Sequence, residues 1–533
     1  MFASVLRWRT LSAAISLLTL LPLGVIALGL LTPDIEVWRH LSAHALPELW
    51  RNTVILLLGV GAGVLLLGVP LAWLTAVHDF PGRRVFSWAL MLPLAMPAYV
   101  MAFSQLGLFD FTGPLQTWLR ETFGSSSWVP NVRSTPGVVM VLTLAFYPYV
   151  YLLARNAFAT MGRRALEVGQ SLGLSPLAGF FRVALPMARP WIAAGLSLAL
   201  METLADFGTV AVFNFDAFTS AIYKAWFSLF SLPAAKQLAA LLVLLVLALV
   251  WLEQRARGQR AYGEAGRAAP LPRTRLHGTR GWLACACCGL VLLLAFVLPF
   301  GQILLWAAGH AADDAADLLD DLKSSLLLAG LAALLVPALA LLLVFAVRRD
   351  PRGRSWARLA TLGYAVPGTV LAVGVFAPVA ALDNLLLDHF GHWLPAGSTA
   401  VFKGTLLVML LAYASRFLAV GHSPLDAAMQ RIARSQEEAA QSLGLHGMRL
   451  AWRLHLPLLR GGLFTAMLMV FVDVMKEMPI TLMTRPFGWD TLAVRIFNLT
   501  TEGEWQRAAL PSVAIVLAGL LPVLLLSRQK SGA

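Results

Sequence analysis

Long apolar runs alternate with short polar segments along the whole chain. A helix of about 20 apolar residues spans the roughly 30 Å hydrocarbon core of a membrane, and the pattern predicts about twelve such spans. The first six lie at 11–31, 52–77, 86–108, 136–154, 190–213 and 237–252, and the second six at 282–308, 324–347, 357–381, 402–421, 461–484 and 508–527. Arg7 and Arg9 precede the first run, as in a signal peptide, but no small-residue cleavage site follows closely. We therefore interpret that run as a membrane anchor and expect an all-α, polytopic membrane protein.

One polar loop occurs twice. The first copy reads Glu167-Val-Gly-Gln-Ser-Leu-Gly-Leu174 and the second reads Glu438-Ala-Ala-Gln-Ser-Leu-Gly-Leu445, so that corresponding residues stand 271 positions apart. A repeat of this length is a domain duplication. We predict two tandem halves, 1–252 and 282–533, joined by a linker at 253–281 that is rich in Arg, Gly, Pro and Ala. Six spans return the chain to its starting side, which predicts a parallel repeat about an axis along the membrane normal.

Composition agrees with a membrane protein. Hydrophobic residues make up 59% of the chain and charged residues 13%, whereas a soluble domain carries about 25% charged residues. The net charge of +13 comes from basic residues in short loops, which fits the positive-inside rule better than nucleic-acid binding. This distribution predicts that both termini, the linker and both copies of the polar loop are cytoplasmic. The three cysteines lie in one apolar run, so we expect neither a disulfide framework nor a metal site there.

Several catalytic motifs are missing from the sequence. It contains no Gly-x-x-x-x-Gly-Lys-Ser/Thr phosphate loop, no His-Glu-x-x-His and no Gly-x-Ser-x-Gly. We therefore predict that the chain is not an enzyme, that it binds no cofactor, and that any ATP that drives it is bound by another chain.

Each copy of the polar loop is predicted to form a helix, a glycine break and a second helix. Gly173 and Gly444 can adopt the positive φ that ends a helix. Ser175-Pro176 suits the start of the next helix, with serine as the cap and proline in the first turn. The second copy is predicted to be helical over 436–443. Such a loop presents a short, exposed rod to the cytosol.

This loop resembles the EAA signature of permease subunits from bacterial ABC importers, and each half resembles one six-span permease with the type I importer fold. The resemblance implies that the short helix docks in a groove of a cytoplasmic ATPase. The motif's Glu corresponds to Glu167 and Glu438, and its Gly to Gly173 and Gly444. The resemblance also implies two copies of the ATPase, a periplasmic substrate-binding protein and a bacterial inner-membrane location. Gly169 replaces an alanine of the motif and lowers helix stability by about 1 kcal/mol, so the first helix is expected to be the weaker.

Ionisable residues also recur inside predicted spans. Glu202 and Asp206 lie in 190–213, and Asp473, Lys476 and Glu477 lie in 461–484. An ionised group at the membrane centre costs roughly 2.5–3.5 kcal/mol on insertion scales, and acids four residues apart share one helix face. Two interpretations stay open. The acids line the substrate path, or they pair with basic groups such as Lys476 and hold helices together.

The choice of substrate depends on local resemblance. Residues 201–210, 221–226 and 473–482 resemble segments of ferric iron permeases. Fe³⁺ is a hard cation that carboxylate oxygens suit, so transient metal contacts are expected at Glu202, Asp206, Asp473 and Glu477. Thiamine importers also include fused double permeases, which leaves thiamine or another small cationic solute as an alternative. A proton-coupled secondary transporter would also have twelve spans in parallel halves, but it has no use for the repeated loop.

Overall fold

The structure is a computed structural model. It describes residues 2–31, 34–127, 129–160, 171, 173–257, 273–310, 315–390 and 400–529.

The described chain is almost entirely helical. In the first half the α-helices are Phe2–Leu31, Ile35–His44, Leu46–Val77, Arg83–Ala89, Ala98–Phe109, Pro114–Phe123, Thr135–Thr160, Pro176–Gly179, Leu185–Ala205, Gly208–Val212, Phe218–Tyr223 and Leu232–Arg257. In the second half they are Thr279–Leu292, Leu298–His310, Ala315–Arg349, Arg354–Ala360, Gly368–Phe390, Leu406–Gln430, Arg434–Ser442, Gly447–Leu450, Leu456–Lys476, Pro479–Thr484, Leu492–Glu502 and Ala509–Gln529. The described strands, His78–Asp79 and Thr274–Arg275, pair in parallel.

Short 3₁₀-helical and π-helical segments adjoin several of these helices. The 3₁₀ segments are Leu92–Ala95, Pro351–Gly353 and Thr361–Ala365. The π-helical segments are Phe180–Ala184, Lys224–Ser228, Leu293–Val297 and Ala451–His455. The first and last of these π segments are also 271 positions apart, and each leads directly into the long helix that follows. The duplication therefore extends to an uncommon backbone feature.

The predicted membrane helices are confirmed as a class. Among the described residues, ten helices are long and apolar enough to cross a membrane: Trp8–Leu31, Leu46–Val77, Thr135–Thr160, Phe180–Ala205, Leu232–Arg255, Thr279–His310, Leu318–Arg349, Gly368–Phe390, Leu406–Gln430 and Gly447–Lys476. The bent pair Arg83–Ala95 and Ala98–Phe123 would make an eleventh, and Ala509–Pro522 is a shorter apolar helix. Each of the twelve predicted spans thus falls on an apolar helix, although several bounds differ.

Two predicted spans are interrupted by a proline. In the predicted span 86–108, the helices on either side of Pro97 turn by 96°. In the predicted span 357–381, the break precedes Pro367. A proline disfavours helical backbone in the residue before it, and both preceding residues, Met96 and Val366, are extended. The sequence prediction gave each of these two spans as one segment and did not include the breaks.

Two other predicted spans end at the acids. The long helix of 190–213 stops at Ala205, and the long helix of 461–484 stops at Lys476. Asp206 and Glu477 are extended, and a short helix follows each of them. Both acids therefore lie at helix breaks, which corrects the expectation that they continue a single helical face.

The chain forms two compact units. The first consists of Met1–Leu41, Ala221–Val243 and Ala315–Arg495; the second consists of Ser42–Ser220, Leu244–Asp314 and Ile496–Ala533. Each unit thus contains segments of both predicted halves. The predicted linker also begins inside a helix, which continues to Arg257, and residues 258–272 lie outside the described part of the chain.

In the first compact unit, three long helices pack around a fully buried core that includes Leu343, Leu418 and Leu459. The N-terminal helix joins this core, because the Thr19 hydroxyl donates a hydrogen bond of 2.9 Å to the Ala360 carbonyl. Arg9 forms an ion pair with Asp350 on the same unit.

In the second compact unit, Leu46–Val77 and Thr135–Thr160 approach closely. A Cβ atom at Gly68 would lie 2.8 Å from Cβ of Val150, so only glycine fits there. Close backbone approach through small residues is the usual basis of helix packing in membranes, where burial of apolar surface gives little driving force.

Candidate functional site: cytoplasmic loops and membrane acids

The second polar loop has the predicted glycine break. Its helix runs from Arg434 to Ser442, and Gly444 has φ +82°. The amide of Gly444 donates to the Gln441 carbonyl at 2.9 Å, and that of Leu445 donates to the Ala440 carbonyl at 3.0 Å. This pair of bonds is the Schellman ending of a helix, which favours glycine.

The first loop has the same break where it is described. Gly173 has φ +79°, and a helix begins at Pro176. The amide of Ala178 donates to the Ser175 hydroxyl at 3.3 Å, as expected of a serine cap. Glu167 lies outside the described residues, so its predicted role stays a prediction.

The two adjacent glutamates of the second loop have different surroundings. Glu438, the predicted coupling residue, is exposed. Glu437 is partly buried, and its Oε1 accepts from Nε of Arg348 at 2.9 Å and lies 2.8 Å from Nε2 of His455. Arg348 also donates to the Ile432 carbonyl at 2.8 Å. These contacts attach the loop helix to the ends of two membrane helices.

The charge of Glu437 follows from these partners. Burial raises the pKa of its carboxyl, but the hydrogen bonds and charges of Arg348 and His455 outweigh this effect, so the pKa lies below its ordinary value. At the corresponding first-half positions the residues are Val77, Leu166 and Ala184, none of which carries charge. These three residues cannot form the charged contacts that attach the second loop, and sequence reasoning missed those contacts.

The membrane acids at the helix breaks accept hydrogen bonds from the short helices that follow. Oδ1 of Asp206 accepts from the Val210 amide at 3.2 Å, and Oδ2 accepts from the Thr209 hydroxyl at 2.9 Å. Oε1 of Glu477 accepts from the Ile480 amide at 3.0 Å. Each carboxylate therefore accepts from a backbone amide that a helix start leaves without a partner.

Glu477 also has a cationic partner that the sequence did not suggest. Nε of Arg416 lies 3.4 Å from Oε2 of Glu477, and both side chains are buried. A Cβ atom at Gly368 would lie 2.7 Å from Oε1 of Glu477 and 2.8 Å from Nη1 of Arg416, so glycine makes room for the pair. No described cation forms an ion pair with Asp206, and the position that corresponds to Arg416 in the first half is Ala145.

The remaining predicted acids are half-buried. Glu202 and Asp473 each lie one turn before the helix break, and Lys476 is the last residue of its helix. The described residues contain no group of three or more His, Cys, Asp or Glu side chains placed to hold a metal ion. Transient contact between iron and the four acids therefore stays a prediction.

Comparison with known proteins identifies the class. The family of binding-protein-dependent transport system inner membrane components matches residues 68–258. The Fe(3+)-transport system permease protein FbpB 2 of Haemophilus influenzae is 27% identical over 511 residues, which cover 93% of this chain and 92% of that protein. A probable molybdenum ABC transporter permease of Haloferax volcanii is 30% identical over 237 residues, which cover 42% of this chain and 84% of that protein. The crystal structure of a bacterial alginate ABC transporter aligns with a TM-score of 0.36 and 17% identity over 48% of this chain and 95% of that one.

The chain belongs to the binding-protein-dependent inner membrane components, which are the permeases of ABC transporters. It is a multi-pass membrane protein whose relatives are transport permeases rather than enzymes. This membership favours the ABC importer prediction over the proton-coupled secondary transporter.

Proposed function

We propose that this permease imports ferric iron that a periplasmic binding protein delivers. The observation that carries the proposal is the extent of the similarity to the Fe(3+)-transport permease, which spans 93% of this chain and therefore both sequence halves. The similarity to the molybdenum permease covers 42% of this chain, about one half. A match over the fused pair supports a shared substrate more strongly than a match over one permease half.

The chemistry of the membrane acids is compatible with a ferric substrate. Asp206 and Glu477 each lie where a membrane helix is interrupted, and backbone breaks at membrane depth are tolerated where they line a cavity or are buried in protein. Hard cations prefer carboxylate oxygens. In our proposal the substrate contacts these acids only transiently, and the Arg416–Glu477 pair lowers the net negative charge so that iron is released rather than trapped.

The repeated loops give the proposed connection to ATP. One cytoplasmic ATPase would dock on each loop, so two copies would bind one permease. ATP would be bound by these partners and not by this chain. The exposed carboxylate of Glu438 is available to such a partner, whereas the carboxylate of Glu437 is used internally. Both loops, the linker and both termini would then face the cytoplasm.

Alternating access would follow from closure of the ATPase pair. ATP binding would draw the two loops together, and their movement would open the path to the other side of the membrane. In the second half, the contacts of Glu437 with Arg348 and His455 would transmit this movement directly to membrane helices.

Transport by the reconstituted complex tests the substrate. The permease, its ATPase and the periplasmic binding protein would be reconstituted in liposomes, and ATP-dependent uptake of radioactive ferric iron would be measured. Excess thiamine and excess molybdate serve as competitors. We expect uptake that needs both ATP and the binding protein and that neither competitor lowers. Uptake of thiamine or molybdate, with none of ferric iron, would overturn the proposal.

A further inference from the structure

A half-open cavity of about 730 Å³ lies beside the second polar loop, within the first compact unit. Its walls come from the ends of two membrane helices, from the short helix Arg354–Ala360 and from the first residue of the loop helix. The ionisable groups that face it are Arg348, Arg354, Arg358, Arg434, His422 and Asp426. The lining therefore contains four arginines and one carboxylate.

Most of this positive charge has no acidic partner among the residues that the structure describes. Arg348 is paired with Glu437. In the described part of the chain no acidic side chain forms an ion pair with Arg354, Arg358 or Arg434, and Asp426 accepts a hydrogen bond of 2.7 Å from Gln430. Nε2 of His422 is buried and has no hydrogen-bond partner among the described residues. This nitrogen is inaccessible to solvent, so the arginines are the groups that a ligand in the cavity would contact.

Two corresponding positions in the second compact unit hold side chains that are bonded internally. Tyr151 stands at the position of His422, is fully buried, and bonds through its hydroxyl to Thr75 and to the Ser87 carbonyl. Arg83 stands at the position of Arg354, is buried, and donates to Asp79 and to the Thr75 carbonyl. The first half of the repeat has internally bonded groups at these positions, whereas the second half has an open cavity and exposed arginines. The difference indicates a site rather than a gap left by poor packing.

We propose that this cavity binds a phosphate group. Guanidinium groups match phosphate oxygens bidentately, and basic pockets at the ends of membrane helices suit the headgroups of anionic lipids. Two sources share this chemistry: a phospholipid headgroup and a soluble phosphate compound. Arg348 lines the cavity and also pairs with Glu437 of the loop helix, so a bound phosphate would act on the attachment of the loop through electrostatics.

Binding measurements on the full-length permease test the proposal. The protein is placed in nanodiscs of phosphatidylcholine, which has no net charge. In one arm phosphatidylglycerol replaces part of the lipid, and retained lipid is counted by native mass spectrometry. In the other arm inorganic pyrophosphate is titrated, and the shift in thermal unfolding gives a dissociation constant. We expect saturable binding in one arm, and the arm that responds identifies the source.

Two triple variants of equal charge provide the comparison. The cavity variant carries Arg354→Gln, Arg358→Gln and Arg434→Gln. The control carries Arg349→Gln, Arg431→Gln and Arg449→Gln, which replace exposed arginines outside the cavity. The cavity variant is expected to bind at least about tenfold more weakly, since hydrogen bonds to charged groups are the strong ones, while the control binds like the wild type.

A single substitution keeps the test valid if the triple variant misfolds. Arg358→Ser introduces the residue found at the corresponding first-half position, Ser87, and is expected to weaken binding without lowering the yield of folded protein. Equal binding by the cavity and control variants, or no saturable binding of either probe to the wild type, would overturn the proposal. Neither result would affect the assignment of ferric iron, because the assay contains no iron, ATP or partner protein.

Discussion

Replacement of Glu477 by glutamine should destabilise the permease far more than replacement of Asp206 by asparagine. The glutamine side chain retains an oxygen that can accept the Ile480 amide, so the cap of the short helix is largely preserved. What is lost is the negative charge beside Arg416, whose side chain is 11% exposed, as against 6% for Glu477. Removal of one partner from a buried ion pair costs about 3–5 kcal/mol, because the other charge is left without compensation. Asp206 has no described cationic partner, and weakening of its capping bonds costs about 1 kcal/mol.

Denaturant unfolding of purified protein in detergent measures the difference, with helical circular dichroism as the signal. The decisive comparison is the double variant Arg416→Met with Glu477→Gln, because removal of both charges from a buried pair is often nearly neutral. We expect it to recover most of the stability that Glu477→Gln loses, so that the two changes are strongly non-additive. Equal destabilisation by Glu477→Gln and Asp206→Asn, or additive losses in the double variant, would show that the ion pair with Arg416 does not stabilise the fold. Iron uptake per folded molecule then separates the two roles of the acids: a normal rate in both single variants would show that they are structural.

Three further predictions concern the loops and the topology. Because the pKa of Glu437 is lowered, the stability from its pairing should be complete above pH 4.5 and lost as the pH falls through the lower folded pKa. A thermal-unfolding profile of Glu437→Gln against pH should lack this acid-dependent part. Glu438→Lys, at an exposed position, should keep the acid-dependent part but lose ATPase co-purification. In a background without the native cysteines, a cysteine at Gly263 should react with an impermeant reagent only from the cytoplasm, and a cysteine at Asp314 only from the periplasm. Labelling of both from one side would contradict the orientation. Gly444→Ala should lower stability by about 1–2 kcal/mol through its left-handed backbone alone, since a Cβ atom there meets nothing within 4 Å; an unchanged unfolding midpoint would contradict this.

Features set by local sequence were predictable. The apolar runs identified the membrane helices because a spanning segment must be apolar along its own length. Gly173 and Gly444 could be assigned a positive φ because a Schellman ending depends on a few neighbouring residues. Because the two loops repeat at a spacing of 271 residues, the glycine break could be predicted in both.

Features that depend on distant partners were not predictable. Arg348 is 89 residues from Glu437, and no periodicity in the sequence connects them. Arg416 and Glu477 likewise lie on different helices. The composition of the compact units was also missed, because apolar helix faces are chemically alike and do not specify which helices pack together. One local signal was available and overlooked: Pro479 lies two residues after Glu477 and favours the start of a new helix.

In our proposal the repeated loops couple a cytoplasmic ATPase to ferric iron import, and ATP hydrolysis by the reconstituted complex measures this coupling. The measurement compares the wild type with the double variant Glu167→Lys and Glu438→Lys, each with and without the iron-loaded binding protein. Equal amounts of folded permease in the membrane are the control. We expect the loaded binding protein to stimulate hydrolysis by the wild type and not by the double variant. Normal stimulation in the double variant would contradict it.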